Sequence, residues 1–242
     1  MRELLPNFAG RQAFAVVVTS SGPWSLIGLA WCTMLPVMLL LGPGGLEQRW
    51  ANFLYAIGGQ GWRYRHTWIA ETVLHHGGRV LIVGLALGAA GWLVQSRLRA
   101  VWGEAQQRIA YALSCLILVS SIIGLLKQVV PAQCPWDQLG FGGAEPAVGW
   151  WQWFSLPGTA RHCFPAGHAG SAFGLIGLGF AAQGSGWQRV AWCLPLGLGL
   201  LFGLDQQLRG AHFVSHDLVS LMISWTVAVA LLPLLPRRRA GS

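Results

Sequence analysis

The chain has 242 residues, 54% of them hydrophobic and only 10% charged, with a mean hydropathy of +0.50. A soluble domain carries roughly 25% charged residues. The composition therefore excludes an ordinary soluble enzyme and points to a bilayer as solvent, with 1–242 read as one all-α, polytopic membrane domain. The formal charge of +8 is not read as a nucleic-acid footprint. Its basic residues are scattered, and anionic lipid and cytoplasmic flanks account for them more simply.

Six apolar runs approach the ~20 residues that a spanning helix needs. They cover about Trp24 to Leu41, Val80 to Val94, Ile109 to Leu126, the stretch from just after His168 to Ala182, Val190 to Leu204, and Phe213 to Leu235. The first ends at Gly42-Pro43-Gly44-Gly45. Nothing before it has the basic start, short apolar core and cleavage site of a signal peptide. Between the first two runs, the segment from Leu46 to Gly78 reads as an amphipathic surface element, with Trp50, Phe53, Leu54, Ile57, Trp62 and Trp68 in the headgroup layer. Many of the 14 tryptophans fall near segment ends, where interfacial anchors belong. The 33 glycines suit helices that pack through small residues.

With the N-terminus inside, Arg2, Arg11, Arg97, Arg99, Arg108, Arg189 and the Arg237-Arg238-Arg239 tail are cytoplasmic. Arg49, Arg63, Arg65, Arg79, Lys127, Arg161 and Arg209 then lie on the outer side. The Arg triplet and the loop from Arg97 to Arg108 favour this orientation. It puts the polar groups on the outer face, which for a bacterial inner membrane is the periplasmic one.

Three polar islands interrupt the apolar pattern. They are Lys127 with Cys134-Pro135-Trp136-Asp137, Phe164-Pro165-Ala166-Gly167-His168, and Arg209-Gly210-Ala211-His212 through His216-Asp217. Polar groups beside spans are costly and usually functional. Phosphate-ester hydrolysis needs cations for the phosphoryl oxygens, a nucleophile, and an acid for the leaving oxygen. Histidine serves as nucleophile or acid near neutral pH, lysine supplies charge, and the Gly167 backbone at a helix start offers N–H groups to an anion. A transporter would place its polar site near mid-membrane on broken helices, whereas these islands sit at helix ends.

The islands resemble the three motifs of the type 2 phosphatidic acid phosphatase superfamily, the lipid phosphate phosphatases. Lys127, six residues and Cys134-Pro135 are similar to Lys-x6-Arg-Pro. Pro165-Ala166-Gly167-His168 is similar to Pro-Ser-Gly-His. Gly210 and His212 fit the core of Ser-Arg-x5-His-x3-Asp. The Cys-Pro-Trp-Asp and Gly-Ala-His-Phe strings resemble a bacterial subgroup of that superfamily. The resemblance implies a bundle of about six helices. It also implies His212 as nucleophile forming a phosphohistidine, His168 as acid, Lys127 and the Gly167 backbone on the phosphate, and no metal or other cofactor. The implied partner is a lipid phosphate or diphosphate among membrane lipids. Close alternatives are transfer of the phosphate to a second lipid, and a non-catalytic lipid-phosphate-binding protein.

The chain departs from the pattern at four places. Cys134 stands for the first-motif Arg, Ala166 for the Ser, Gln206 for the third-motif Arg, and His216 for the Asp, with Asp217 one further on. Arg209 and Arg161 are the candidates to restore charge at the phosphate site that Gln206 lacks. Arg209 lies three residues before His212, on one side of a helical turn. His216 or Asp217 would orient His212. Asp137 reads as a turn cap. Cys32, Cys115 and Cys193 fall inside spans as small buried hydrophobes. Cys134 and Cys163 share the outer loop, where an oxidising compartment allows a disulfide. Glu71 with His75, four residues on, and His76 offers a metal pair without a third ligand.

Overall fold

The computed structural model describes residues 22–42, 45–155 and 161–236. Arg2, Arg11, Pro43, Gly44 and the Arg237–Arg239 tail lie outside the described residues. The fold is an all-α membrane protein. Its elements are α1 (Pro23–Leu41), α2 (Leu46–Ile57), a π-helical segment (Ile69–Gly77) running directly into α3 (Gly78–Leu98), and α4 (Glu104–Val129). After a long loop come α5 (Gly167–Phe173), a 3-10 turn (Gly174–Ile176), α6 (Gly177–Ala181), α7 (Gln188–Leu208) and α8 (Val214–Ala230). Three stretches are long and apolar enough to cross a membrane, namely Pro23–Leu41, Ile69–Leu98 and Glu104–Val129, and Val214–Ala230 is a shorter apolar helix.

Local chemistry sets the helix limits. Pro23 opens α1, where its missing N–H costs nothing. Gln106 caps the Gly103 N–H at 2.9 Å and Glu104 meets Arg108 at 2.7 Å, so α4 starts with two of its own side chains engaged. Pro131 follows the end of α4. Near the start of α4, Arg108 Nη1 donates to the Ala181 carbonyl at 2.7 Å, tying α4 to the end of α6.

The helices approach through small residues. α5 packs on α7 and α8, and α4 packs on α3, α5 and α8. A β-carbon at Gly177 would meet Cys115 Sγ at 2.9 Å, and one at Gly174 would meet Leu116 Cδ1 at 3.1 Å. Cys115, Val119 and Ile123 of α4 are thereby buried against α6, the 3-10 turn and α8. Leu85, Leu87, Leu125 and Leu200 remain exposed on the outside, which is the expected face towards lipid.

Two sequence readings change here. The second span begins at Ile69, not near Val80, so Glu71, His75 and His76 belong to a spanning helix rather than a surface element. Glu71 lies 3.6 Å from His66, and Glu71, His75 and His76 do not form a grouping within metal-ligand range among the described residues. Within the amphipathic segment, Leu54 is buried and Trp62 packs edge-on against Tyr55, 5.3 Å between centroids, and beside Phe141. Of the six side chains read into the headgroup layer, Trp50, Phe53, Ile57 and Trp68 are exposed.

Cys134 and Cys163 are joined in a disulfide with their Cα atoms 5.4 Å apart, whereas Cys32, Cys115 and Cys193 are free. Cys115 is fully buried, but Cys32 and Cys193 are exposed on their helices rather than buried. Alkylation of denatured, unreduced protein should label three of the five cysteines, and all five after reduction. Five labelled without reductant contradicts the bond. The Cys134→Ser/Cys163→Ser double variant should lose about 2–4 kcal/mol of stability.

Candidate active site

The three islands converge at one end of the bundle. A cavity of about 450 Å³ is lined by Lys127 from α4, Gly167 and His168 from α5, Gln206 from α7 and His212 from the α7–α8 loop. His75 and Arg79 of the π-to-α3 segment, with Ser120 and Ser171, complete the polar lining. Ile82, Val83, Ile123 and Gly124, lower on α3 and α4, form an apolar wall.

Lys127 is held by the long loop. Its Nζ donates to the His162 carbonyl, and His162 Nδ1 returns a bond to the Lys127 carbonyl at 3.0 Å. A β-carbon at Gly167 would lie 3.0 Å from Lys127 Cε, so glycine is what lets the lysine stem pass over the start of α5. That start is anchored to α8. The Ala166 N–H donates to the His216 carbonyl at 3.2 Å, and Ser220 Oγ donates to the Ala166 carbonyl at 2.9 Å. Ala166 therefore brings no hydroxyl to the site, and its backbone does structural work.

His168 Nε2 lies 3.0 Å from the Leu74 carbonyl. A carbonyl only accepts, so Nε2 carries the hydrogen and Nδ1 is left to exchange a proton. The ring is stacked on Phe202 at 4.2 Å and flanked by His75 at 4.9 Å.

His212 is buried, two residues beyond Gly210, whose φ of +75° makes the tight exit from α7. Its Nδ1 is 3.4 Å from His216 Nδ1. When the His212 proton sits on Nδ1 and points at His216, Nε2 keeps a free lone pair. Burial first, then the Lys127 charge and His216, hold the His212 imidazole well below the ordinary histidine value. It is therefore neutral at neutral pH, as a nucleophile must be. The Cys163 backbone lies within hydrogen-bonding range of both His212 and His216. The disulfide thus fixes the strand of loop against which both imidazoles rest.

The remaining residues from the sequence are placed as follows. His216 is the residue beside His212. Asp217 instead accepts from Gln207 Nε2 at 2.6 Å, close to Gly203, with its Oδ1 unpartnered. Gln206 lines the cavity and donates to Asp205 Oδ2 at 2.6 Å. Neither Arg161 nor Arg209 lines the cavity. Glu145 takes Arg161 at 2.6 Å, and the Arg65 carbonyl takes Arg209 Nε at 3.1 Å. Asp137 caps the Cys134 N–H at 3.0 Å, and Arg65 lies 4.1 Å over the Trp136 ring. Among the described residues, the one His/Cys/Asp/Glu grouping within metal-ligand range is Cys134, Asp137 and Cys163, two of which form the disulfide. The arrangement can hold a single anion between Lys127 and the Gly167 backbone, with one neutral imidazole to attack it and a second to exchange a proton.

Two outcomes follow. A β-carbon at Gly210 would enter the Trp62 ring and sit at positive φ, so Gly210→Ala should destabilise the protein by at least about 1–2 kcal/mol in thermal melts and displace His212. The unfolded chain protonates His212 below pH 6.5 while the native one does not. Stability should therefore be full above pH 6.5 and fall as the pH drops below it. His212→Asn should flatten part of that fall in melting curves between pH 7.5 and 5.5; an unchanged pH slope would contradict the buried neutral imidazole.

Comparison with known proteins adds one finding. No curated protein and no solved structure matches the chain. The PAP2 superfamily model matches residues 108–240, which include Lys127, the disulfide, His168, Gln206, His212 and Asp217. The match covers more than half of the 242 residues, and its members are generally phosphatases; the chain belongs to the PAP2 superfamily.

Proposed function

We propose that this protein is a membrane-bound phosphatase that releases phosphate from a lipid phosphate or diphosphate through a phosphohistidine on His212. One observation carries the reading: His212, His168, Lys127 and Gly167 share a single cavity whose apolar lining, Ile82, Val83 and Ile123, belongs to helices long and apolar enough to cross a membrane. A phosphate head at the polar end and a chain along the apolar wall match a lipid ester better than a soluble one.

The steps balance as follows. His212 Nε2 attacks phosphorus, and the bond from phosphorus to the lipid oxygen breaks. His168, protonated at Nδ1, gives that proton to the leaving oxygen. Lys127 and the Gly167 N–H neutralise the phosphoryl oxygens as they separate from the leaving group. Water then attacks the phosphohistidine, His168 takes a proton from it, and inorganic phosphate leaves with His212 restored. The site is proposed to face the periplasm from a bacterial inner membrane, as the arginine distribution suggests.

The test is phosphate release by purified protein in mixed micelles across phosphatidic acid, phosphatidylglycerol phosphate and an isoprenyl diphosphate. At least one should turn over. His212→Ala should lower its rate by at least about 10³-fold, and His168→Ala by about 10²–10⁴-fold. Acid-labile, alkali-stable label should appear on the wild type from a radiolabelled substrate and be absent from His212→Ala. Release unchanged in His212→Ala overturns the assignment. Binding of every lipid without turnover would favour the non-catalytic reading that Gln206 suggests, and label passing to a second lipid would favour phosphotransfer.

A further inference from the structure

The phosphate site as drawn is short of cations. The family's two arginine positions are Cys134 and Gln206. Arg161, paired with Glu145, and Arg209, whose Nε donates to the Arg65 carbonyl, do not line the cavity, although the Arg209 charge reaches His75 and His168 from behind it. Phosphoryl transfer depends on positioning and charge, so one lysine leaves the anion under-compensated.

The π-to-α3 segment shares the cavity lining with Lys127 and is the part of that lining that falls outside the matched residues 108–240. Four observations on it converge. Its Leu74 carbonyl holds His168 Nε2 at 3.0 Å. Its His75 ring flanks His168 at 4.9 Å, with Nδ1 buried and without a partner among the described residues. Its Gly78 is pressed onto the site, since a β-carbon there would lie 2.6 Å from Phe202 Cζ and 3.0 Å from His168 Cε1. Its Arg79 lines the cavity, and no carboxylate pairs with it among the described residues.

The position of Arg79 sharpens the point. It lies inside a stretch apolar enough to cross a membrane, next to Val80 and Leu81, which are exposed where lipid is expected. A charged side chain there without a partner is costly and needs an anion. Glu71, the nearest acid in its own helix, pairs with His66. Nine residues of π winding precede Gly78, and such insertions are frequent at functional sites.

We propose that Leu74–Arg79 is a fourth functional segment of this enzyme, in which Arg79 is the phosphate-binding guanidinium that takes over from the two absent arginines and His75 donates a second hydrogen bond to the same anion. Arg79 and Lys127 then hold the phosphate together from two different helices. The planar guanidinium supplies the bidentate contact that a lysine cannot. The inference rests on the phosphatase reading for its reaction, and on geometry alone for its anion.

The experiment uses the full-length protein in detergent, dioctanoyl phosphatidic acid as substrate probe and orthovanadate as a tail-free phosphate mimic. Arg79→Gln should lower kcat/KM on the order of 10²-fold and weaken vanadate inhibition at least about tenfold. Arg79→Lys should recover part of both. Adding Gln206→Arg to Arg79→Gln should restore at least about tenfold of the lost activity, because the charge then returns from the α7 wall. An arginine that merely snorkels to headgroups would change lipid affinity but leave vanadate inhibition alone. Vanadate inhibition unchanged in Arg79→Gln, or no rescue by Gln206→Arg, overturns the inference even if His212→Ala abolishes turnover. If no lipid turns over, vanadate should still raise the melting temperature of the wild type and not of Arg79→Gln. That result would count against the hydrolase reading while supporting this one, and absence of any vanadate effect on the wild type would overturn the inference. Melting curves of Arg79→Lys serve as the folding control.

Discussion

At four glycines the chain brings backbone against a functional or supporting side chain that a β-carbon would crowd. Gly167 passes under the Lys127 stem, Gly78 presses on His168 and Phe202, Gly203 admits the Asp217 carboxylate, and Gly210 turns beneath Trp62. These approaches bring α3, α4, α5 and α7 close enough for groups far apart in the sequence to share one cavity. With ordinary side chains at those positions, the helices would stand apart and the polar ends would face lipid or water singly, at the cost that unpaired polar groups carry near a bilayer.

The electrostatics follow from that closeness. A buried imidazole beside an ammonium is driven neutral, which is the state in which His212 can attack phosphorus. Its side-chain hydrogen-bond partner is another imidazole, His216, not a carboxylate. Asp217, one residue further, is turned to Gln207. The cysteine at the first-motif arginine position has a different task from the arginine. It fixes Cys163, whose backbone supports both histidines. What that position loses in charge it contributes in placement, and the charge has to come from elsewhere in the lining.

Much of the bundle was legible because hydropathy reports burial in lipid directly. The helices α1, α4 and α7 fall within a few residues of the apolar runs, and of these α1 and α4 are long and apolar enough to cross a membrane. The second span was read too short because His75, His76, Arg79 and Glu71 depress the apolar signal at its start, while the π winding breaks the period that would betray a helix. The meeting of Lys127, His168 and His212 was legible from residue type and order. The fates of Arg161 and Arg209 were not, since Glu145 and a backbone carbonyl 144 residues away leave no mark on local sequence. Arg79 had been counted among outer-side charges. The signal that could have found it is an arginine four residues after a histidine, at the head of an apolar run, with no acid free to pair with it.

The central claim is that His212, His168 and Lys127 close around one phosphoryl group. An experimental structure of the protein with orthovanadate bound tests it most directly. The account predicts a five-coordinate vanadium with His212 Nε2 at one apex, His168 Nδ1 near the opposite oxygen, and Lys127 at the equatorial oxygens. Vanadate seated away from His212, or held by side chains that do not line this cavity, would contradict it.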